Sequence, residues 1–198
     1  NMLKPASVKV IPDRIEAGTF LMAGAMLGQI TLKDVNPSHL NSIISKLIDA
    51  GSEVEIDKNT IIVKKGEFIK PVDMSTDVYP GFATDLQAQW VALMCVAKGS
   101  SIITDTVYHD RFSHIPELNR LGASIKVEKN TAFVRGVNKL IGAPVMSTDI
   151  RASASLIIAA LAADGLTTIS RIYHIDRGYE KIEKKFKSLG AVIKRISE

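Results

Sequence analysis

The sequence predicts an α/β protein in which one βαβαββ unit is written three times, with apolar helices at the centre and sheets outside. Three observations carry this. Arg14, Asp85 and Arg151 are each followed fourteen residues later by a glycine, at Gly28, Gly99 and Gly165. A second glycine follows after 23, 23 and 25 residues, at Gly51, Gly122 and Gly190. The segments between these marks also match in kind, which is the signature of an internal repeat. The units cover about residues 8–66, 76–138 and 144–198 and together predict one pseudo-threefold domain over 1–198.

After a short strand, each unit opens on a helix-length stretch rich in Ala, Leu, Ile and Met: Ile15–Leu27, Leu86–Ala97 and Ala152–Ala163. These stretches are apolar nearly all round, so they read as buried helices. A strand follows the first glycine of each unit, at Ile30–Val35, Ile102–Val107 and Thr167–Ile172. Next comes an amphipathic helix. Leu40, Ile43, Ile44, Leu47 and Ile48 share one face in the first unit, with Ser38 as N-cap. In the third unit Tyr179, Ile182, Phe186 and Leu189 face inward, and Lys181, Lys184, Lys185 and Lys187 face solvent. The second glycine of each unit suits a left-handed position just past the helix end. Hairpins close the first two units, with Val54–Ile56 and Thr60–Val63 around Asp57-Lys58-Asn59, and Ile125–Val127 and Thr131–Val134 around Glu128-Lys129-Asn130. The third unit has only Val192–Ile196 left after its glycine, so it predicts an unpaired strand edge through which the chain could dimerise.

Composition excludes several classes. With 46% hydrophobic and 23% charged residues the chain has the balance of a soluble globular protein. Its longest apolar runs, such as Leu156 to Ala163, fall far short of a membrane span, and no secretion signal opens it. The single Cys95 precludes an internal disulfide framework and suits a reducing cytoplasm. His109, His114 and His174 lack the spacing of a metal site. There is no P-loop and no GxGxxG. Trp90, Phe112 and Tyr173 form no stacking series for a single-stranded nucleic acid. A net charge of +4 favours anionic partners without choosing among them.

If the units are related by a threefold axis, Asp13-Arg14, Thr84-Asp85 and Asp149-Ile150-Arg151 meet at one surface, where three helix N-termini favour an anion. The strand-to-helix loops add Asp110-Arg111 and Asp176-Arg177. The planar fork of arginine suits carboxylate and phosphate. The same residues would equally serve as helix caps paired with one another.

The runs YPGFATDLQAQ (79–89), TDTVYHDRFSHIPELNRLGA (104–123), STDIRASASL (147–156) and RIYHIDRGYEKIEKKFKSLGA (171–191), with IPDRIEAGTF (11–20), resemble the enolpyruvyl transferase family. Within it they look like the UDP-N-acetylglucosamine 1-carboxyvinyltransferases, and the resemblance covers nearly the whole chain. It implies an inside-out α/β barrel, enolpyruvyl-transferase-like, with substrates held between two such domains. It also implies transfer of the enolpyruvyl group of phosphoenolpyruvate to the 3-hydroxyl of UDP-N-acetylglucosamine, with phosphate released and no metal or organic cofactor. That reaction is the first committed step of peptidoglycan synthesis, in the cytoplasm, and serves cell-wall biogenesis and cell shape. By the same resemblance Asp85 lies beside the sugar hydroxyl as a general base, and Val107 contacts the nucleotide sugar through its backbone. Arg177 contacts phosphoenolpyruvate, Arg111, Arg151 and Asp149 belong to the surrounding charged cluster, and Arg14 is a supporting charge. The family's Lys-Asn pair and loop Cys belong to the preceding half, so this chain resembles the C-terminal half, an excised domain or a truncated reading frame. Alone it is expected to be inactive. Asn1 ahead of Met2 reads as an added residue. A 5-enolpyruvylshikimate-3-phosphate synthase-like transferase and a non-catalytic RNA-binding βαβαββ module are the alternatives.

Overall fold

The computed structural model describes residues 5–196, so Asn1 and Met2 lie outside the described residues. Three apolar helices form its centre: α1 (Arg14–Leu27), α3 (Gln87–Met94) and α5 (Ile150–Ala162). Every residue of α3 is buried, including Gln87 and Gln89, as are ten consecutive residues of α1 from Ala17 to Met26. A helix with no polar stripe has no face to give to water, so it must be covered on all sides. The three helices pack on one another, α3 most extensively on α5. Trp90 is fully buried with Phe82 edge-on to it at 5.6 Å.

Sheets cover this centre. The first is β1 (Gln29–Leu32), β2 (Glu53–Asp57) and β3 (Thr60–Lys64) in the order β1-β3-β2, all antiparallel. The second comprises β4 (Met74–Ser75), β5 (Ser100–Thr104), β6 (Ser124–Glu128) and β7 (Thr131–Arg135) in the order β4-β5-β7-β6, with β4 parallel to β5. Two short parallel pairs complete the set. In one β8 (Leu140–Ile141) joins β10 (Ala163–Asp164), and in the other β9 (Pro144–Met146) joins β11 (Thr168–Ser170). The outer helices are α2 (Asn41–Asp49), α4 (Ile115–Arg120) and α6 (Ile182–Ser188). Short 3-10 turns at Pro37–Leu40, Thr84–Leu86 and Ile172–Arg177 precede α2, α3 and α6.

Local chemistry explains most of these boundaries. Gly51, Gly122 and Gly190 end α2, α4 and α6 at φ of 94°, 87° and 96°, in the left-handed region that a side chain would strain. Lys58 and Lys129 occupy matching positions in the two hairpin turns, at φ of 50° and 55°. The following carbonyls also match, since Asn59 accepts the Val35 amide and Asn130 the Asp105 amide.

Four expectations need correction. No strand forms ahead of α1: residues 5–13 are irregular, and Val8 and Val10 are over four-fifths exposed. Among the described residues no strand pairs with this segment, and an unpaired strand is not stable in water. The cap before α2 is Asn36, whose side chain accepts the Ser38 amide, with Pro37 at the first turn. Leu189 is half exposed, because α6 ends at Ser188. Residues 191–196 form no strand, with Val192 fully exposed. Among the described residues β11 therefore pairs on one edge only. No helix among these residues is long and apolar enough to cross a membrane.

Leu156 is fully buried in α5, whereas Leu166 is 84% exposed. Leu156→Ala should lower the unfolding free energy by about 3 kcal/mol through lost burial and the cavity left behind. Leu166→Ala should change it by less than about 0.5 kcal/mol. Urea unfolding followed by circular dichroism reads both.

Candidate active site

The N-terminal ends of the three central helices converge. Asp13 ahead of α1, Asp85 in the turn leading into α3, and Ile150 and Arg151 at the start of α5 line one cavity of about 190 Å³, with Gly178 and Tyr179 as a further wall. Gly178 is there because of close packing, since a Cβ at this position would lie 2.6 Å from Ile150 Cδ1. The Tyr179 hydroxyl bonds to Thr19 Oγ1 at 2.8 Å and receives Gln89 Nε2 at 3.3 Å, which ties this wall to α1 and α3. Burial pushes the Tyr179 phenol up to about 12. A larger hollow of about 310 Å³, between the start of α1, β1 and the end of α6, contains none of Asp85, Arg111 and Arg151.

The three aspartates at these helix ends have different tasks. Asp13 caps α1, its Oδ1 accepting the amides of Ile15 at 2.7 Å and Glu16 at 3.2 Å. Asp149 caps α5, with Oδ1 accepting the amides of Arg151 at 2.8 Å and Ala152 at 3.1 Å, and Oδ2 accepting Ser113 Oγ at 2.9 Å. Partial burial works against its charge, but those hydrogen bonds prevail and hold the carboxyl below the ordinary range. Asp85 is relieved of capping, because it lies inside the 3-10 turn Thr84–Leu86, which has no side-chain cap.

Asp85 is instead gripped by two guanidinium groups. Its Oδ1 accepts Arg111 Nη1 at 2.8 Å and Arg151 Nε at 2.6 Å. Among the described residues Oδ2 has no partner. The Arg111 guanidinium lies over the Tyr108 ring at 4.6 Å and also donates to Thr84 Oγ1 at 3.0 Å. Stacking of the planar guanidinium adds to the two bonds from Nη1, an arrangement that lysine could not reproduce.

The other sequence-predicted residues fall around this core. Val107 is part of an exposed turn, and its amide is bonded to the Asp105 carboxylate at 3.1 Å. Arg14 does not join the pairs on Asp85; its guanidinium is 4.8 Å from the centre of the Tyr79 ring. Arg177 is exposed beside Gly178 and makes no ion pair among the described residues. Asp176 turns away to a two-pronged bond with Arg195, at 2.7 and 2.6 Å, and this arginine holds its carboxyl below the usual range. Asp105, inside the expected strand Ile102–Val107, instead follows a strand that ends at Thr104 and is buried in an Asx turn, and nothing local in the sequence reveals that burial.

The match to a family model and the likeness to solved structures give this mixed α/β chain its class, that of the enolpyruvyl transferases. The chain belongs to the family described as EPSP synthase (3-phosphoshikimate 1-carboxyvinyltransferase), whose profile matches residues 1–186. Among curated proteins it is 54% identical over 196 residues to a UDP-N-acetylglucosamine 1-carboxyvinyltransferase of Desulfosudis oleivorans, covering 98% of this chain and 47% of that protein. To the Chlorobium chlorochromatii protein of the same name it is 55% identical over 184 residues, 92% of this chain and 44% of that one. The chain thus spans about half the length of the curated relatives it matches. Among solved structures, the enolpyruvyl transferase NikO from Streptomyces tendae superposes with a TM-score of 0.86 at 29% identity, over 94% of this chain and 45% of that one. EPSP synthase from Acinetobacter baumannii, at 17% identity and a TM-score of 0.63 over 82% of this chain and 40% of that one, shares the fold.

Burial also controls His114, which precedes α4. Desolvation pushes its imidazole from 6.5 down to about 4, against the opposing pull of Asp149. Between those values the unfolded chain binds a proton that the folded chain refuses, so stability falls as pH drops from 6.5 to about 4. The fall attributable to this residue should be roughly 2–4 kcal/mol. Asp149 adds its loss only below its ordinary value of 3.8. Urea midpoints measured across that window should flatten in His114→Phe.

Proposed function

We propose that this chain is the C-terminal half of a UDP-N-acetylglucosamine 1-carboxyvinyltransferase, one domain of inside-out α/β barrel architecture that acts with a second domain supplied by the missing half. The reaction moves the enolpyruvyl group of phosphoenolpyruvate to the 3-hydroxyl of UDP-N-acetylglucosamine, releases phosphate, and opens peptidoglycan synthesis in the cytoplasm. The observation that carries this reading is the asymmetry of Asp85. Both arginines fall on Oδ1, which fixes the carboxylate and leaves Oδ2 to accept a hydrogen bond from the sugar hydroxyl. The names of relatives more than half identical over almost all of this chain support the same reading.

Phosphoenolpyruvate carries a carboxylate and a phosphate, which call for fixed positive charge; addition of the hydroxyl at C2 also needs a proton at C3, from an acid of the other half, and that carbon loses a proton again as phosphate is expelled. Arg111 and Arg151 provide that charge at the cavity, and exposed Arg177 beside it has side-chain donors free to meet the substrate. Preorganised guanidinium groups stabilise charge on the tetrahedral intermediate without reorganising when it forms. Asp85 orients the attacking hydroxyl and takes its proton as the new C–O bond forms. The Val107 carbonyl holds the nucleotide sugar, Asp149 keeps the α5 end and therefore Arg151 in place, and Arg14 supports the cavity rim. The missing half supplies the remaining cleft wall, and the free edge of β11 is a place where added strands, or a second copy, could pair.

The whole enzyme, made by joining this chain to the N-terminal half of the Desulfosudis relative, tests the reading. It should release phosphate from phosphoenolpyruvate in the presence of UDP-N-acetylglucosamine, and this chain alone should release none. Asp85→Ala should lower turnover at least about a thousandfold while nucleotide-sugar binding by calorimetry changes little. Retained turnover would remove Asp85 from the mechanism. The family description makes shikimate 3-phosphate the rival acceptor, and faster phosphate release with that compound would replace the nucleotide sugar in this reading.

A further inference from the structure

Asp105, just beyond β5, is completely buried, and no cation pairs with it among the described residues. Its charge is met by hydrogen bonds alone. Oδ1 accepts Thr76 Oγ1 at 2.8 Å and the amides of Val107 at 3.1 Å and Tyr108 at 2.8 Å, and Oδ2 accepts Thr84 Oγ1 at 2.6 Å. Its backbone is fixed as well, since Asn130 Nδ2 donates to its carbonyl at 3.1 Å and its own amide donates to the Asn130 carbonyl at 2.9 Å. A buried carboxylate costs a great deal unless its lone pairs are filled, so this network keeps one geometry.

The direction of each proton follows. A carboxylate only accepts, so the Thr84 hydroxyl must donate to Asp105. Its lone pairs are then turned to Arg111 Nη1, 3.0 Å away, and that nitrogen has a second proton for Asp85 Oδ1 at 2.8 Å. Asp105, Thr84, Arg111 and Asp85 thus form an ordered chain from the interior to the cavity. A second arm runs from the same carboxylate through two amides to the Val107–Tyr108 turn, and the Tyr108 ring packs under the Arg111 guanidinium at 4.6 Å.

We propose that Asp105 is a positioning residue for the transfer site, setting Arg111 through the Thr84 hydroxyl and the Val107 carbonyl through the turn it anchors. The proposal rests on the reading of Arg111 and Asp85 as substrate-binding groups. An asparagine at position 105 would present an NH2 group to one of its present donors. Where it faces Thr84, the hydroxyl must reverse, accept that bond and point its proton at Arg111, donor against donor. Shifts of an ångström at such a group cost affinity far out of proportion to their size.

Thr84 is the cleaner probe, because valine keeps its shape and serine keeps its hydroxyl. In the whole two-half enzyme Thr84→Val should raise KM for phosphoenolpyruvate about tenfold and leave KM for the nucleotide sugar within about twofold. Thr84→Ser should stay within about twofold of the parent for both. Asp105→Asn should raise both KM values, since it cuts both arms. Added to Thr84→Val, it should worsen the phosphoenolpyruvate value by clearly less than the product of the two single effects, because both act on the one guanidinium of Arg111. Equal KM values in the valine and serine variants, or effects that multiply, would overturn the proposal, and the Thr84 pair decides it even if Asp105→Asn does not fold. Absence of enolpyruvyl transfer in the parent enzyme would instead defeat the functional reading. The relay would then be judged by a crystal structure of the Thr84→Val chain, where displacement of Arg111 Nη1 from Asp85 supports it and an unmoved Arg111 refutes it.

Discussion

Three helices without a polar face cannot meet water, and the arrangement of the molecule follows from covering them. α1, α3 and α5 pack together, and sheets and outer helices enclose them. Close approach needs small residues at the contacts. Gly24 meets Val63 and Gly18 meets Leu86 so tightly that an added Cβ would lie 2.5 Å from either side chain. Once the helices are bundled, their N-terminal ends open on one cavity. Each end brings unpaired amides and partial positive charge. The packing of the helices and the cavity at their ends therefore have a common origin.

The site arises because the three ends are not treated alike. Two are satisfied locally, by Asp13 and by Asp149, whose oxygens are taken up by backbone amides. At the third, a 3-10 turn moves Asp85 inside the helix start. There it meets Arg111 from a loop of its own unit and Arg151 from the next. A carboxylate pinned through one oxygen keeps its orientation and still has an oxygen for a ligand. Broken equivalence within a repeated framework separates the two capping aspartates from the one paired with arginine.

Features set by neighbouring residues were legible in the sequence. The glycines that end α2, α4 and α6 and the hairpins around Lys58 and Lys129 lie where local chemistry puts them. Pro37 was an available signal that the cap before α2 is Asn36, since proline favours the first helical turn. Features requiring a distant partner were less legible. Residues 5–13 have the alternation of a strand but, among the described residues, no strand beside them, and a strand is defined by its partner's hydrogen bonds. Asp176 and Asp110 carried the same pattern of acid before arginine, yet Asp176 is claimed by Arg195 nineteen residues on.

The sequence by itself determined that three buried helices, repeated at matching intervals, form an α/β protein with acidic and arginine residues at the helix starts. Spacing and apolarity are local properties, and they are written residue by residue. Only the tertiary structure decided which aspartate binds arginine and which caps a helix, that Arg14 lies against Tyr79, and that Asp105 is sealed inside with four donors around it. Those outcomes depend on which side chains arrive within about 3 Å of one another, and that is settled only when segments far apart in the chain pack together.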